Sequence, residues 1–186
     1  MKPSRGELFE PGQDWKVAAI KLGPLCGGFI FMNKEEILMS KALLLAKKAF
    51  AMGEIPVGAL VVDKDGNIIG EGYNQREKNL DISSHAEIEA IKMAEKKKGS
   101  WQLSDCSLFV TLEPCLMCAG AILQSKIHSL YFGAKDEKMG AVVSNLHVFD
   151  DLSSSSRPLV YGGILEKECA DIMLSFFQEA RKKSNK

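Results

Sequence analysis

The chain has 186 residues, which suits a single domain with a hydrophobic core. Hydrophobic residues make up 46% and charged residues 26% of the sequence, which argues against a disordered or a membrane-embedded protein. Lysine plus arginine and aspartate plus glutamate each total 24, so the net charge gives no indication of nucleic-acid binding, and a local basic patch stays possible.

The sequence also lacks the marks of export and of membrane insertion. No stretch approaches the roughly 20 apolar residues that a membrane-spanning helix needs. The N-terminal segment carries Glu7, Glu10 and Asp14, and it has neither the apolar core nor the cleavage site of a good signal peptide. We therefore expect a cytoplasmic protein with no membrane partner.

Residues 1–31 differ from the rest because glycine and proline interrupt every candidate helix. We predict that they form an N-terminal extension outside the fold and that residues 32–186 form the domain. Met32 is a hypothetical natural start, since Gly27-Gly28 upstream can be encoded by a sequence that resembles a ribosome-binding site. Detection of residues 1–31 by mass spectrometry of the native protein would contradict this hypothesis.

The predicted elements begin with a helix. Asn33 is a good N-cap, and apolar residues recur at helical spacing up to about Met52, where Gly53 ends the helix. Two strands follow over residues 57–63 and 67–73, joined by a hairpin turn. The remaining predicted elements are a helix over 85–97, a strand over 107–112, a helix over 114–124, strands over 128–133 and 159–161, and a helix over 166–183, with loops over 74–84 and 136–158.

This order of elements predicts one α/β domain, a three-layer α/β/α sandwich. We expect a five-stranded mixed sheet at its centre, because a hairpin is followed by strands that alternate with helices. The hairpin is expected at one side of the sheet and the helices on both of its faces.

Three potential metal ligands and one carboxylate form the most informative pattern in the chain. His85 and Glu87 precede a Pro-Cys-x-x-Cys motif that contains Cys115 and Cys118. Zinc held by three protein ligands keeps a fourth position for water, which distinguishes a catalytic site from a structural one. Glu87 lies two residues from the histidine and could move the protons of that water. We expect one zinc ion bound by His85, Cys115 and Cys118, with Glu87 as the catalytic group.

Each half of this pattern also has an explanation without catalysis. Ser84 and Glu87 fit a capping box at the start of a helix, which would make His85 incidental. Cys115 and Cys118 taken alone would fit a redox pair, a structural zinc site or a coincidence. The two halves together favour the metal site.

Both halves of the pattern are expected at helix N-termini. Pro114 is predicted in the first turn of its helix, where its missing N–H does no harm, and Cys115 and Cys118 would then face the same way. A positive helix end and a metal ion both favour thiolates. A structural site would need a fourth ligand, and neither His128 nor His147 has ligand spacing to the motif, so an open position is the better interpretation.

The chain contains five cysteines. This odd number does not indicate a disulfide framework. Outside the motif, Cys106 and Cys169 are interpreted as small buried apolar residues.

The residues around the motif carry a resemblance to a known family. His-Ala-Glu together with Pro-Cys-x-x-Cys is the signature of the cytidine/deoxycytidylate deaminase superfamily. Five further segments resemble the bacterial tRNA-specific adenosine deaminases: residues 56–59, 72–74, 111–121, 132–136 and 138–140. The resemblance extends over about residues 32–183.

The resemblance implies hydrolytic deamination of adenosine to inosine at the wobble position of a tRNA anticodon, with tRNA-Arg as the expected substrate. It implies a zinc-activated water, one zinc ion per subunit, and Glu87 as the proton shuttle. It also implies a homodimer that binds the anticodon stem-loop. The residues that match substrate-binding positions of the family are Asn74, Glu54, Asp81, Lys135, Asp136, Phe177 and Arg181.

Some of these matched residues also have structural explanations. The resemblance places Asn74 in a hydrogen bond to the flipped base, whereas without the resemblance Asn74 is interpreted as a turn residue. Phe177 is also explained by core packing, and Arg181 by a solvated charge. These interpretations stay open at the level of the sequence.

Two other functions also remain possible. A small-molecule deaminase acting on guanine, cytosine or a nucleoside would use the same zinc chemistry, although residues 117–121 and 132–136 argue against it. An RNA-binding protein that keeps zinc only for folding would have no need of Glu87. Inosine formation in an anticodon stem-loop, compared with ammonia release from free bases and nucleosides, distinguishes the three.

Overall fold

A computed structural model of the chain describes residues 18–21, 29–151 and 157–184, and a five-stranded mixed sheet lies at its centre. The strands of this sheet are β3 (Gly58–Val62), β4 (Ile68–Tyr73), β5 (Ser107–Leu112), β6 (Ser129–Ala134) and β7 (Leu159–Tyr161). Their order across the sheet is β4-β3-β5-β6-β7. β3 pairs antiparallel with β4 and β5, whereas the β5–β6 and β6–β7 pairs are parallel.

Helices surround this sheet. Their bounds are α1 (Lys34–Ala51), α2 (Arg76–Asn79), α3 (Ala86–Lys98), α4 (Leu116–Gln124), α5 (Val148–Asp151) and α6 (Glu166–Ser184). The four-residue helices α2 and α5 lie in segments that were predicted as loops, and the longer helices lie where they were predicted. In the part of the chain that the structure describes, no helix is long and apolar enough to cross a membrane.

The sheet separates two hydrophobic layers. Residues of α3 and α4, among them Ala90 and Ile122, pack with Val61, Leu108 and other side chains on one face. On the other face a second cluster joins α1 and α6 to the sheet, with these members: Leu38, Met39, Ala42, Leu43, Leu60, Val62, Phe109, Ala134 and Cys169. The strands β3, β5 and β6 therefore bury both of their faces, which explains their near-continuous apolar runs in the sequence. The predicted α/β/α sandwich is confirmed.

The start of α1 shows how closely local sequence sets an element boundary. Asn33 caps the helix, because its Oδ1 accepts a hydrogen bond of 2.8 Å from the Glu36 N–H. The Glu36 carboxylate accepts one of 2.9 Å from the Asn33 N–H in return. This capping box satisfies two donors that would otherwise lack partners, and an N-cap of this kind contributes about 1 kcal/mol.

Glycines in β4 allow α3 to lie unusually close to the sheet. A Cβ at Gly72 would overlap the carbonyl oxygen of Ala86, and a Cβ at Gly70 would overlap that of Ala90. The backbone of α3 therefore rests directly on the strand. This packing fixes the first turn of α3, where His85 and Glu87 are found.

The N-terminal segment contributes a separate two-stranded antiparallel sheet, formed by β1 (Ala18–Lys21) and β2 (Phe29–Met32). Residues 1–17 and 22–28 lie outside the described part of the chain. The proposed boundary between an N-terminal extension (residues 1–31) and the domain (residues 32–186) remains a prediction.

Candidate active site

The predicted metal ligands meet where two helices begin. His85 is the N-cap residue of α3, Cys115 is the N-cap residue of α4, and Cys118 lies in the first turn of α4. The His85 Nδ1 atom lies 3.7 Å from the Cys115 Sγ and 3.5 Å from the Cys118 Sγ. All three ligand atoms lie within 4.8 Å of one another.

This arrangement fits a zinc ion. Typical zinc–nitrogen and zinc–sulfur bond lengths with tetrahedral angles place nitrogen and sulfur ligands about 3.6 Å apart. The two measured separations agree with that value, and one nitrogen with two sulfurs is a donor set that zinc prefers. Elsewhere in the described residues, no other group of His, Cys, Asp and Glu side chains is arranged to hold an ion.

The side chains of the two cysteines and His85 influence one another's pKa values. A hydrogen bond from Cys118, assisted by His85, lowers the pKa of Cys115 to about 4. The same contact and burial raise the pKa of Cys118. The hydrogen bond with Cys115 also raises the pKa of His85. A cation bound here would displace the remaining protons, because metal ligands bind in their deprotonated forms.

Glu87 lies in the first turn of α3, next to the ligands. Its side chain is 4% exposed, and burial raises the pKa of its carboxyl group. Interaction with the Cys118 side chain partly opposes this rise. A buried carboxylate in contact with a metal-ligating sulfur is suitably placed for proton transfer at the metal site.

The capping-box explanation of Ser84 and Glu87 is wrong. The N-cap residue of α3 is His85, and its side chain forms no capping hydrogen bond. The Ser84 hydroxyl is instead held by Asn79, which donates to it at 3.1 Å, and by Asp81, which accepts from it at 3.3 Å. Glu87 therefore takes no part in a capping box with Ser84, and its carboxylate lies beside the candidate metal ligands instead.

The predicted position of Pro114 is also wrong, by two residues. α4 begins at Leu116 with Cys115 as its N-cap, so Pro114 precedes the helix. Its carbonyl oxygen accepts a 2.9 Å hydrogen bond from the Ala141 N–H. The two cysteines still lie at the start of the helix, because Cys115 is its N-cap residue and Cys118 lies three residues later in its first turn.

Asn74 and Glu54, both predicted as substrate-binding residues, are in direct contact. The Asn74 Nδ2 donates a 3.0 Å hydrogen bond to Glu54 Oε2, and both residues are buried. The Glu54 carboxylate also accepts hydrogen bonds from the backbone N–H groups of Glu77 at 3.3 Å and Lys78 at 2.7 Å. Glu54 thus fixes the orientation of the Asn74 amide and anchors α2.

Asp81 organises the loop that leads to His85. Its carboxylate accepts hydrogen bonds from the Ser83 N–H at 2.8 Å, from the Ser83 hydroxyl and from the Ser84 hydroxyl. These bonds, led by that of the Ser83 N–H, lower the pKa of Asp81. The neighbouring side chains of Leu80 and Ile82 are exposed on this loop.

The other predicted substrate-binding residues lie on two elements. Lys135 is exposed just after β6, and the Asp136 carboxylate beside it accepts the backbone N–H groups of two later residues of its loop. Phe177 and Arg181 are exposed on α6, where Phe177 contacts the ring of Phe176. Among the described side chains, neither Phe177 nor Arg181 forms a hydrogen bond or ring contact with the residues around the metal ligands.

Sequence reasoning missed one buried carboxylate in this region, that of Glu113. It directly follows β5 and precedes Pro114, and its side chain is 2% exposed. Burial opposes its ionisation, but hydrogen bonds from the Ser144 hydroxyl and several backbone amides outweigh burial and lower its pKa. An acidic residue at the end of an apolar strand was the signal that could have revealed it.

An α/β/α sandwich that holds a three-ligand metal site beside a buried carboxylate is typical of a metal-dependent hydrolase. The chain matches the MafB19-like deaminase family over residues 32–181. The tRNA-specific adenosine deaminase of Haemophilus influenzae is 48% identical over 147 residues, which cover 79% of this chain and 85% of that protein. The chain therefore belongs to the MafB19-like deaminase family and to the family of the tRNA-specific adenosine deaminases.

Solved structures agree with this assignment. One from a study of A-to-I editing by tRNA:A34 deaminases at the wobble position of transfer RNA is 41% identical, with a TM-score of 0.70, over 73% of this chain and 98% of that chain. The guanine deaminase of Bacillus subtilis is 33% identical, with a TM-score of 0.53, over 79% of this chain and 93% of that chain. The chain is thus more similar to the tRNA deaminase than to this small-molecule deaminase.

Proposed function

We propose that this protein deaminates adenosine to inosine at the wobble position of a tRNA anticodon, with tRNA-Arg as the expected substrate. The observation that carries the proposal is the buried carboxylate of Glu87 beside His85, Cys115 and Cys118. It occurs in a chain that is 48% identical to a tRNA-specific adenosine deaminase. The reaction consumes water and releases ammonia.

His85, Cys115 and Cys118 would hold one zinc ion per subunit. Zinc bound in this way supplies a water molecule of lowered pKa and stabilises developing negative charge. In hydrolytic deamination Glu87 would accept a proton from the attacking water, deliver a proton to the ring nitrogen N1 of adenine, and then assist the departure of the amino group as ammonia. Because Glu87 is buried, bulk water does not compete for these protons.

Asn74 is the proposed hydrogen-bonding partner of the flipped base. Its Nδ2 is committed to Glu54, so the Oδ1 and the second amide hydrogen are available to a ligand. We assign Glu54 to the positioning of Asn74, since the oxygens of Glu54 are occupied by the amide and by the backbone of α2. A flipped base read by an amide is a common solution for enzymes that act on nucleobases.

The wider RNA contacts follow from the resemblance and from exposed charge. We propose that Asp81, Lys135, Asp136, Phe177 and Arg181 contact the anticodon stem-loop. The exposed cations that would supply a local basic patch are Lys135, Lys138, Arg181, Lys182 and Lys183. Binding through such a patch weakens as salt rises, so tRNA affinity that ignored ionic strength would contradict it. We also propose a homodimer and a cytoplasmic location.

One assay tests the proposed reaction. The zinc-loaded protein is incubated with an anticodon stem-loop that carries adenosine at the wobble position, and inosine is measured by nucleoside analysis. Ammonia release from free adenosine, cytidine, cytosine and guanine is measured in parallel. We expect inosine in the stem-loop and little ammonia from the small molecules. Fast release from guanine or cytosine without inosine would favour a small-molecule deaminase instead.

A further inference from the structure

Glu113 joins the metal-ligand segment, which we define as residues 114–118, to the β6–α5 loop, which we define as residues 135–147. Its carboxylate accepts five hydrogen bonds from that loop. The donors are the backbone N–H groups of Asp136, Val142, Val143 and Ser144, and the hydroxyl group of Ser144. All the acceptor capacity of one buried side chain is therefore used to hold one loop.

The geometry of these bonds calls for a full negative charge. Three consecutive N–H groups, those of Val142, Val143 and Ser144, converge on Oε1 at 3.1, 2.8 and 3.0 Å. Successive amides that point at one atom form an anion-binding concavity. The Asp136 N–H and the Ser144 hydroxyl donate hydrogen bonds to the other oxygen, Oε2. A neutral amide in place of the carboxylate would present N–H hydrogens to at least one of these donors.

Two further contacts bring the same loop against the metal ligands. The Ala141 N–H donates a 2.9 Å hydrogen bond to the Pro114 carbonyl, and Gly140 pairs with the ligand Cys115 as an isolated antiparallel bridge. A Cβ at Gly140 would lie 2.6 Å from the Glu113 Oε2, so only glycine permits this approach. The loop therefore contacts both Glu113 and the metal-ligand segment directly.

The loop begins with the residues that we propose as substrate contacts. Lys135 and Asp136 lie at its start, and Glu113 holds Asp136 through its N–H at 3.2 Å. The Asp136 carboxylate then accepts the N–H groups of Lys138 and Met139, each at 3.0 Å. The direction of this first turn thus depends on the hydrogen bond to Glu113.

We infer that Glu113 is a positioning residue that sets substrate affinity by holding Lys135 and Asp136 in fixed register with the metal site. This inference rests on the proposed tRNA deaminase function. Glu113 acts through the loop and takes no part in proton transfer. Its loss should therefore weaken binding of the anticodon stem-loop more than it slows the chemical step.

The test compares Glu113→Gln with the wild-type protein. Zinc content is measured by elemental analysis, and kcat and KM are measured for inosine formation in the stem-loop. We expect unchanged zinc, a KM raised about tenfold and a kcat within about threefold, since the lost interaction contributes equally to ground-state and transition-state binding. A merely structural role would reduce the folded active fraction, which lowers kcat and leaves KM unchanged.

Two companion variants complete the test. Ser144→Ala removes one donor to Glu113 and should raise KM by a smaller factor, and the double variant should show less than the product of the two effects. Ser125→Ala removes a buried hydroxyl that bonds the carbonyls of Ala121 and Ile122 at the far end of α4, and its KM should not change. If Glu113→Gln does not fold, Ser144→Ala alone decides.

Three results would contradict the inference. They are an unchanged KM in the Glu113 and Ser144 variants, a loss of zinc in Glu113→Gln, and an equal KM increase in Ser125→Ala. Absence of inosine with the wild-type protein would refute the proposed function and, with it, the inference that depends on it.

Discussion

The two ends of β5 place the same kinds of side chain, cysteines and carboxylates, in different surroundings. Cys106 precedes the strand, and burial raises its pKa to about 11, so it stays a thiol in the apolar core. Cys115 lies beyond the other end, where the pKa is lowered to about 4 by hydrogen bonds from Cys118 and His85. The surroundings of each cysteine therefore distinguish an inert buried thiol from a candidate metal ligand.

Acidic side chains differ between the two ends in the same way. At the carboxyl end, Glu87 and Glu113 are 4% and 2% exposed. At the amino end, Asp105 pairs with Lys98 and its side chain stays 41% exposed. Burying a charge is costly unless partners compensate for it, so buried carboxylates gathered at one end of a sheet indicate function there. That end is also where parallel α/β sheets generally bind ligands.

The largest expected effect comes from replacing a cysteine at the carboxyl end of β5 and comparing it with a cysteine at the amino end. Cys118→Ala should abolish stoichiometric zinc binding and inosine formation, because two remaining ligands do not make a catalytic zinc site. Elemental analysis and the stem-loop assay measure both outcomes. Cys106→Ala is the matched control, since it removes a buried thiol at the other end of β5 and should keep zinc and activity. Equal zinc loss in both variants would remove the distinction between the two ends.

A nearly equal loss of turnover is expected from Glu87→Gln, but without loss of zinc. Removing a general acid–base group lowers the rate by about 100-fold to 10,000-fold. Glu89→Gln is the control, because Glu89 lies two residues further along α3 and pairs with Lys92 at 3.2 Å at the surface. Normal turnover by Glu87→Gln would exclude its proposed role as the proton shuttle.

The sequence was sufficient for the fold because each long element carries its own periodicity. β5 was predicted with the bounds that the structure shows, since its apolar run lies between polar turns. The helices α2 and α5 were missed, because four residues are too few to display a helical period. Pro114 was placed inside α4 because proline is favoured in a first turn, whereas its carbonyl here pairs with a distant loop.

The site was only partly predictable for a related reason. His85, Glu87, Cys115 and Cys118 belong to two short motifs, so the residue types and their spacing were enough to indicate the cluster. The roles of Glu54 and Glu113 depend on contacts between segments that are distant in the sequence, such as the 3.0 Å bond between Glu54 and Asn74. No local pattern encodes such contacts, and a resemblance can match the positions without saying what each carboxylate touches.

A smaller effect is expected when the positioning of Asn74 is disturbed. Glu54→Gln would lower kcat/KM about tenfold, because one charge-assisted bond to a buried amide is weakened. The control is Glu77→Gln, since that side chain is 77% exposed and lies on the helix that Glu54 anchors. The stem-loop assay measures both variants. An unchanged kcat/KM in Glu54→Gln would show that Asn74 needs no orientation.

The smallest effect is expected at the amino end of β5, where the charges are exposed. The hydrogen bond from Lys98 lowers the pKa of Asp105, and the same bond raises the pKa of Lys98. Because the pKa of the carboxyl group is lowered on folding, its ionised form stabilises the fold above the pKa of the unfolded state, and this stabilisation is lost on acidification. Because the pKa of the amine is raised on folding, its charged form stabilises the fold below the pKa of the unfolded state, and this stabilisation is lost at high pH. The pair should therefore contribute between about pH 4 and about pH 10.

Asp105→Asn tests this contribution. Solvent screening limits an exposed pair to about 1 kcal/mol or less, so the free energy of unfolding at pH 7 should fall by no more than that. The difference from wild type should shrink as the pH falls below about 4, and it should disappear below the lowered pKa of folded Asp105, because Asp105 is then protonated in both states. Inosine formation should not change. A large loss of activity in Asp105→Asn would mean that the amino end of β5 is coupled to the metal site, contrary to the separation of roles along this strand.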